Sequence, residues 1–248
     1  MRNVAESVSL GLQSGFIDCS LTSLEQYNPK LIVNNHKAGI KVLTSIENEL
    51  SKCKEFYFSV AFITQSGVAS LLAILTELKD KGVKGKIVTS QYQNFTDPKA
   101  LKRLLEFKNI ELRIVTDGNF HAKGYIFKQE NSYSFILGSS NLTQNALGYN
   151  KEWNVKLSSL GEGSVMQSVL KEFNYTFENA TVVNSEFIQA YSEIYSLQSK
   201  ATKKLEVESK ITQLNRVNPN KMQQEALRGI EILRNDGKNK ALLISATG

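Results

Sequence analysis

The chain has 248 residues, of which 41% are hydrophobic and 22% are charged, and it carries a net charge of +6. It can therefore bury an ordinary core, in one large domain or two small ones. The sequence excludes a membrane-spanning segment and a disulfide framework, because no apolar run is long enough and only two cysteines are present. Residues 1–12 include Glu6 and lack the apolar run of a signal peptide, so we expect a cytoplasmic protein with no membrane partner.

The first half of the chain alternates between helical and strand patterns. Asn34 and Asn35 are expected to cap the first helix, Gly82 to end the second, and Asp97 to begin the third. This order predicts a sheet flanked by helices. In chain order we predict a helix from 34–35 to about 53, a strand at 55–63, a helix from 66–67 to 82, a strand at 86–89, a helix from 97, and a strand at 110–115.

The next segment, residues 120–127, is rich in aromatic and β-branched residues and predicts a strand. Because side chains alternate between the two faces of a strand, His121, Lys123 and Tyr125 share one face. A histidine and a cation therefore project side by side. A lone histidine on a strand is usually structural, so its meaning depends on its neighbours.

Those neighbours follow the next predicted strand, residues 133–137. Ser139 and Asn141 come just after the end of this strand, and the alternation of side chains places them on the same side. They add a hydroxyl and an amide donor to the same region. Together with His121 and Lys123 they predict an anion cradle that holds a titratable nucleophile. The positive net charge agrees with a polyanionic partner, although a basic surface also serves solubility.

The pattern His-x-Lys at 121–123 and Gly-Ser-x-Asn at 138–141 resembles the HxK…GSxN signature of the phospholipase D superfamily, in particular its nuclease-type branch. In that family the histidine attacks the phosphorus of a phosphodiester, and water then hydrolyses the phosphohistidine intermediate. The resemblance implies that His121 is the nucleophile and that Lys123, Ser139 and Asn141 neutralise the phosphoryl oxygens. It implies no metal for this step and a nucleic-acid substrate, with DNA expected.

The chain departs from the family pattern at Lys128, where the family usually has an aspartate five residues after the lysine. Some restriction-type members of the superfamily use a glutamate just after the GSxN segment, which is where Glu152 lies. Glu152 precedes a predicted strand at 153–157, and it would orient the His121 imidazole as the acid of a triad does. The alternative is an ordinary solvated glutamate in a loop.

The family site needs two histidines, one as nucleophile and one as general acid. The only other histidine of this chain, His36, has no lysine two residues later and is not a second copy of the motif. The resemblance therefore implies a homodimer in which two His121 strands meet across a twofold axis.

Three alternatives stay open at this stage. A phospholipid-cleaving enzyme would share the chemistry, but the chain has no amphipathic membrane-binding segment. A non-catalytic clamp would hold nucleic acid in the same cradle. The amides and aromatics of residues 91–95 could form a base-stacking loop or an ordinary packed turn.

The last segment, residues 219–248, resembles the opening of a superfamily 2 helicase motor of the DEAD/DEAH type. Gln223 would fill the adenine-reading position, and Thr247 and Gly248 would belong to the first half of a phosphate-binding loop. The lysine of that loop is absent, so ATP and Mg²⁺ are expected cofactors only of a longer, helicase-containing protein. This chain alone is not expected to hydrolyse ATP.

The sequence thus predicts an α/β protein with a phospholipase D-like mixed β-sheet flanked by helices, then a helical linker and the start of a RecA-like helicase domain. The predicted boundaries are an N-terminal extension at 1–33, the nuclease domain at 34–180, the linker at 181–218 and the incomplete helicase domain at 219–248. Helical patterns begin at 164 and near 186, and residues 198–218 have little apolar content.

Overall fold

The computed structural model describes residues 28–35, 37–91, 94–117, 120–197 and 219–242. The chain divides into two compact units, Met1–Ser196 and Leu197–Gly248. Among the described residues, none of the helices combines the length and the apolar character needed to cross a membrane.

The first unit is built on one mixed sheet, which has eight strands within the described residues, in the order β1-β7-β6-β5-β2-β3-β4-β8. Strands β2, β3 and β4 are parallel to one another, and all other neighbours are antiparallel. The strands are β1 Lys30–Ile32, β2 Glu55–Val60, β3 Lys84–Ser90, β4 Ile110–Val115, β5 Lys123–Lys128, β6 Tyr133–Gly138, β7 Asn154–Ser159 and β8 Thr181–Val182.

Helices cover both faces of this sheet, which confirms the predicted open α/β architecture. Within the described residues, one face packs against five helices around the larger core, and the other face packs against α5. The helices are α1 Val42–Leu50, α2 Gln65–Asp80, α3 Pro98–Leu104, α4 Gln144–Gly148, α5 Ser164–Asn179, α6 over residues 185–197, and α7 Lys221–Asn235 in the second unit.

The alternation of side chains along the central strands supplies both cores. In β5, Tyr125 and Phe127 enter the larger core, while Ile126 points to the opposite face. There Ile126 joins Phe173 and Phe177 of α5 in the smaller core. The strand that follows the predicted nucleophile is therefore anchored on both sides.

The predicted helix signals act close to the expected positions. Asp97 caps α3 by accepting a hydrogen bond from the backbone N–H of Lys99 at 2.8 Å. Helix α2 begins one to two residues earlier than predicted, because Thr64 caps it by accepting from the N–H of Gly67 at 3.1 Å. Gly82 follows that helix with a φ of +70°, a conformation that favours glycine.

Helix α1 begins at Val42, so the predicted start at 34–35 is wrong. Asn35 and Ile40 exchange backbone hydrogen bonds of 2.8 and 3.0 Å, which close a turn in which Gly39 has a φ of +68°. Asn34 still stabilises the first turn of α1, because its side-chain oxygen accepts a hydrogen bond from the backbone N–H of Val42 at 2.9 Å. The residues between Asn35 and Ile40 belong to this turn and therefore do not extend the helix.

The structure differs from the predicted domain boundaries at both ends of the 34–180 segment. Residues Lys30–Ile32 join the sheet as β1, which pairs with β7. After residue 180, β8 pairs with β4, and α6 buries Tyr191, whose hydroxyl donates to the carbonyl oxygen of Thr96 at 2.7 Å. The predicted linker therefore starts later than 181, and its remainder at 198–218 lies outside the described residues.

In the second unit the described element is α7. Asn220 and Gln223 form a capping box at its start, in which each side chain accepts from the other residue's backbone N–H at 2.9 Å. The side chain of Gln223 is thus engaged at the helix N-terminus. Thr247 and Gly248, the other two residues predicted to bind nucleotide, lie outside the described residues.

Candidate active site

His121 lies two residues before β5, which begins at Lys123 rather than at residue 120 as predicted. The Nζ atom of Lys123 lies 2.7 Å from Nδ1 of His121 and donates to the carbonyl oxygen of His121 at 2.8 Å. The structure therefore brings the predicted nucleophile and the predicted cation together.

Phe62, which the sequence analysis did not single out, connects His121 to the predicted amide donor. Its ring lies edge-on to the ring of His121, with 5.4 Å between the centroids. Its backbone N–H donates to the side-chain oxygen of Asn141 at 3.1 Å. This bond uses the acceptor of Asn141, so the group left to meet a ligand is the donor end of the amide.

The loops that carry Phe62 and Asn141 are held together by backbone hydrogen bonds. Leu142 donates to the carbonyl oxygen of Phe62, and Thr64 donates to that of Leu142, each at 3.1 Å. A Cβ atom on Gly67 would overlap the carbonyl group of Leu142, so only glycine permits this approach of α2. The position of Asn141 is thus fixed from two sides.

A buried network fixes the other side of the 138–141 loop. The side chain of Asn154 accepts from the N–H of Ser140 at 3.3 Å and donates to its hydroxyl at 2.9 Å. The hydroxyl of Tyr125 donates to the carbonyl oxygen of Ser140 at 3.0 Å. A Cβ atom on Gly138 would overlap the backbone of Trp153, which explains the glycine in the motif.

Ser139 and Glu152 contact each other directly. The Ser139 hydroxyl donates to the Glu152 carboxylate and accepts from the N–H of Trp153 at 3.1 Å. The second carboxylate oxygen of Glu152 accepts from the side chain of Asn150 at 3.4 Å. Glu152 is therefore held against the motif, at the sheet edge where the sequence placed it, and its hydrogen bonds go to Ser139 and Asn150.

The charge of Glu152 also reaches Lys123. Burial of the Lys123 ammonium group lowers its pKa, and the negative charge of Glu152 acts in the opposite direction. The carboxylate thus lies within electrostatic range of the cation that touches His121.

Lys128, which replaces the family's usual aspartate, lies at the far end of β5. Its Nζ atom pairs with the carboxylate of Glu55 on β2 at 2.6 Å, and the two residues are partners in the strand register. The hydroxyl of Tyr57 donates to the same carboxylate at 2.6 Å. Position 128 therefore serves a local ion pair at the strand end opposite to His121.

The loop at 91–95 meets the site through one of its aromatic residues. Phe95 is 53% exposed, and its ring lies 5.0 Å from the ring of Phe62. Tyr92 and Gln93 lie outside the described residues, as does His36.

A cavity of about 460 Å³ opens beside His121 and Lys123, on the sheet face that α5 covers. Its lining includes the apolar side chains of Ile126 and Phe173, and α5 also contributes polar side chains. The remaining lining residues are Ser59, Phe120, Ala122, Gly124, Leu137, Ser168, Val169, Glu172 and Thr176.

The family described as "Cardiolipin synthase, PLD-like domain" matches residues 46–177, which is more than half of the chain. The chain belongs to this family of phospholipase D-like domains. The match includes the His121 motif, the 138–141 loop and Glu152, together with all strands from β2 to β7. None of the curated proteins matches the chain.

Solved structures agree with a phospholipase D-like fold. NucT from Helicobacter pylori is 16% identical, with a TM-score of 0.51, over 63% of this chain and 99% of NucT. Phosphatidylserine synthase from Haemophilus influenzae is 15% identical, with a TM-score of 0.54, over 83% of this chain and 52% of the synthase. Nuc, a phospholipase D family member from Salmonella typhimurium, is 23% identical, with a TM-score of 0.49, over 64% of this chain and 100% of Nuc.

At these identities the likeness to NucT and the synthase establishes the fold alone. Within the described residues of this phospholipase D-like domain, no group of three or more His, Cys, Asp or Glu side chains is placed to hold a metal ion.

Proposed function

We propose that the chain is a phosphodiesterase that cleaves nucleic acid, with DNA the expected substrate, without a metal ion. The observation that carries this proposal is the contact of His121 with Lys123, next to Asn141 across the ring and backbone of Phe62. An imidazole, an ammonium group and an amide donor at one point suit a phosphodiester anion. The net charge of +6 favours the same class of polymer.

In the first step, a ring nitrogen of His121 forms a bond to phosphorus while the bond from phosphorus to the leaving oxygen breaks. The leaving oxygen takes a proton from a second imidazolium, that of His121 in another copy of the chain. In the second step that imidazole removes a proton from water, whose oxygen attacks phosphorus and displaces the first His121. Lys123 and Asn141 donate to the phosphoryl oxygens throughout.

This scheme needs two copies of the chain, because one copy of the motif supplies one histidine. Lys123 also has to move from His121 to the phosphate as the substrate binds, since its ammonium group now donates to the histidine. We propose a homodimer whose two His121 residues face one phosphodiester across a twofold axis.

We further propose that Glu152 is a positioning residue for His121. Its contact with Ser139 and its effect on the pKa of Lys123 support this role. A carboxylate there would hold the imidazole with the attacking nitrogen unprotonated.

Two other functions share this site. The family's name and the phosphatidylserine synthase likeness suggest phospholipid chemistry, in which a lipid phosphate would occupy the same cradle. A non-catalytic clamp would bind nucleic acid in the cradle without cutting it, and Lys128 in place of aspartate favours that alternative. The fusion to an ATP- and Mg²⁺-dependent helicase, suggested by residues 219–248, stays a prediction.

The decisive experiment incubates the purified chain with long single-stranded and duplex DNA, and with RNA of the same sequences, in excess EDTA. We expect cut strands from the wild type and none from His121→Ala, with salt-sensitive binding nearly unchanged. Lys128→Ala is the control and should cut like the wild type. Uncut substrate that is nevertheless bound would favour the clamp, and activity that EDTA abolishes and Mg²⁺ restores would refute the mechanism.

A further inference from the structure

The cavity beside His121 has two distinct surfaces. Gly124, Ile126 and Leu137 of the sheet and Phe173 of α5 form an apolar part of the lining, which we call the floor, and Phe120, next to His121 in the chain, adds an aromatic ring. The volume of about 460 Å³ lies in the lower half of the range for small-molecule pockets, about 300–1,000 Å³. The cavity therefore has room for one base and its sugar rather than for a length of duplex.

The wall on α5 carries a row of polar side chains spaced by one helical turn, namely Ser168, Glu172 and Thr176. Glu172 is exposed, and within the described parts of the chain no hydrogen bond or ion pair engages its carboxylate. A carboxylate only accepts hydrogen bonds, so it selects ligands that present N–H or O–H groups. It also repels a second phosphate and so disfavours a polynucleotide backbone in the cavity.

We infer that this cavity binds a single nucleobase next to the scissile phosphate, and that Glu172 selects guanine. The inference rests on the proposed cleavage of nucleic acid at His121. Guanine offers two adjacent donors, N1–H and the N2 amino group, which match the two oxygens of a carboxylate. The apolar floor and Phe120 accept the faces of the ring, as in enzymes that take one base out of the stack.

The position of the cavity also predicts the form of the substrate. A base can enter beside its own phosphate only if it is unstacked, which costs less in single strands than in duplexes. The enzyme would therefore prefer single-stranded substrates and cut them at a fixed offset from guanine. An acyl chain is the competing occupant of an apolar cavity, but the polar Glu172 side chain in the wall opposes it.

The test cuts a single-stranded DNA library of random sequence in EDTA and sequences the new ends. We expect guanine to be enriched about tenfold at one position beside the cut, and Glu172→Gln to reduce this preference about tenfold, since one bidentate pair discriminates by this order. Val169→Trp, which fills the cavity, should reduce both the preference and the rate. Val165→Trp is the matched control, because Val165 is 58% exposed on the same helix and does not line the cavity.

A second measurement does not depend on cutting. The His121→Ala chain should bind deoxyguanosine 3′- or 5′-monophosphate more tightly than the three other deoxynucleotides, and Glu172→Gln in that background should remove the difference. Cutting with equal base composition on both sides overturns the inference and leaves the proposed function intact. Headgroup release from phosphatidylglycerol vesicles with DNA left uncut overturns both and assigns the cavity to an acyl chain.

Discussion

Asn154 holds Ser140 at two points, accepting from its backbone N–H at 3.3 Å and donating to its hydroxyl at 2.9 Å. Both residues are fully or almost fully buried, with exposures of 1% and 0%. The pair joins the start of β7 to the loop between Gly138 and Asn141. It therefore fixes the loop that carries Asn141, one of the proposed phosphate-binding residues.

Replacing Asn154 with Ala should destabilise the chain and slow cleavage together. Buried polar groups of Ser140 would lose their partners, at a cost of about 1–3 kcal/mol in the free energy of unfolding. Displacement of the loop should lower the cleavage rate by about tenfold to a hundredfold. Urea unfolding and a cleavage assay measure the two effects. The control, Asn179→Ala at the exposed end of α5, should change neither, and an unaltered rate for Asn154→Ala would show that the pair does not position the site.

The role proposed for Glu152 predicts a large effect of a small change. Glu152→Gln keeps the size of the side chain and removes its charge, so folding and DNA affinity should stay the same. The cleavage rate should fall by about two to four orders of magnitude, as when a triad loses its orienting acid. Glu162→Gln, an exposed position after β7, serves as the control. Wild-type cleavage by Glu152→Gln would leave the glutamate as a loop residue and strengthen the clamp alternative.

The composite site predicts that inactive subunits poison active ones. A large excess of His121→Ala chains, mixed with wild type and allowed to exchange, should reduce activity per wild-type chain because each heterodimer has only one His121. The rate at each mixing ratio should follow the fraction of wild-type homodimers. If light scattering shows a monomer at every concentration and that monomer is fully active in the cleavage assay, the composite site is excluded.

The ion pair of Glu55 and Lys128 predicts a pH-dependent contribution to stability. The hydrogen bond from Lys128 lowers the pKa of Glu55, and the same bond raises the pKa of Lys128. The stability from a lowered carboxyl pKa is present above the unfolded-state pKa and is lost as the pH falls through the folded-state pKa. The stability from a raised lysine pKa is present below the unfolded-state pKa and is lost as the pH rises through the folded-state pKa.

Lys128→Met should therefore lower the free energy of unfolding at neutral pH and have little effect in strong acid. Because both side chains are more than a third exposed, we expect only about 0.2–1 kcal/mol. Unfolding measured from pH 2 to pH 8 gives the curve, with the exposed Lys37→Met as the control. A difference that persists undiminished at pH 2 would contradict the assignment to Glu55.

The sequence predicted most helices and strands of the first unit because their hydrophobic periodicity is strong, but it did not predict β1, α4 or β8, which are only 3, 5 and 2 residues long. Strands β2 and β5 have buried aromatic residues in alternation, and the caps Asp97 and Thr64 lie at or next to the expected starts. The predicted start of α1 was wrong because asparagine is favoured in turns as well as at helix caps. Here Asn35 closes a turn with Ile40 instead of capping the helix.

The sequence predicted that His121 and Lys123 lie together, but not which residues hold the candidate site in place. His121 and Lys123 could be paired from spacing along one strand, which is a local property. Phe62 and Asn154 hydrogen-bond to residues of the 138–141 loop that are 14 or more positions away in the sequence. A local sequence pattern does not identify such long-range partners. One signal was available for Asn154, since an asparagine at the first position of a strand is unusual and calls for a hydrogen-bonding reason.

The strand order has a consequence for how the protein is made. Strand β1 has β7 as its neighbour in the sheet, with Leu31 opposite Val155, so β1 cannot pair until β7 has been synthesised. Strand β2 likewise pairs with β5, and two helices and two strands lie between them in the sequence. Such long-range pairing makes folding slow. A nascent chain that ends before Asn154 has no fixed phosphate cradle, so cleavage activity should emerge only once nearly the whole sheet has been synthesised.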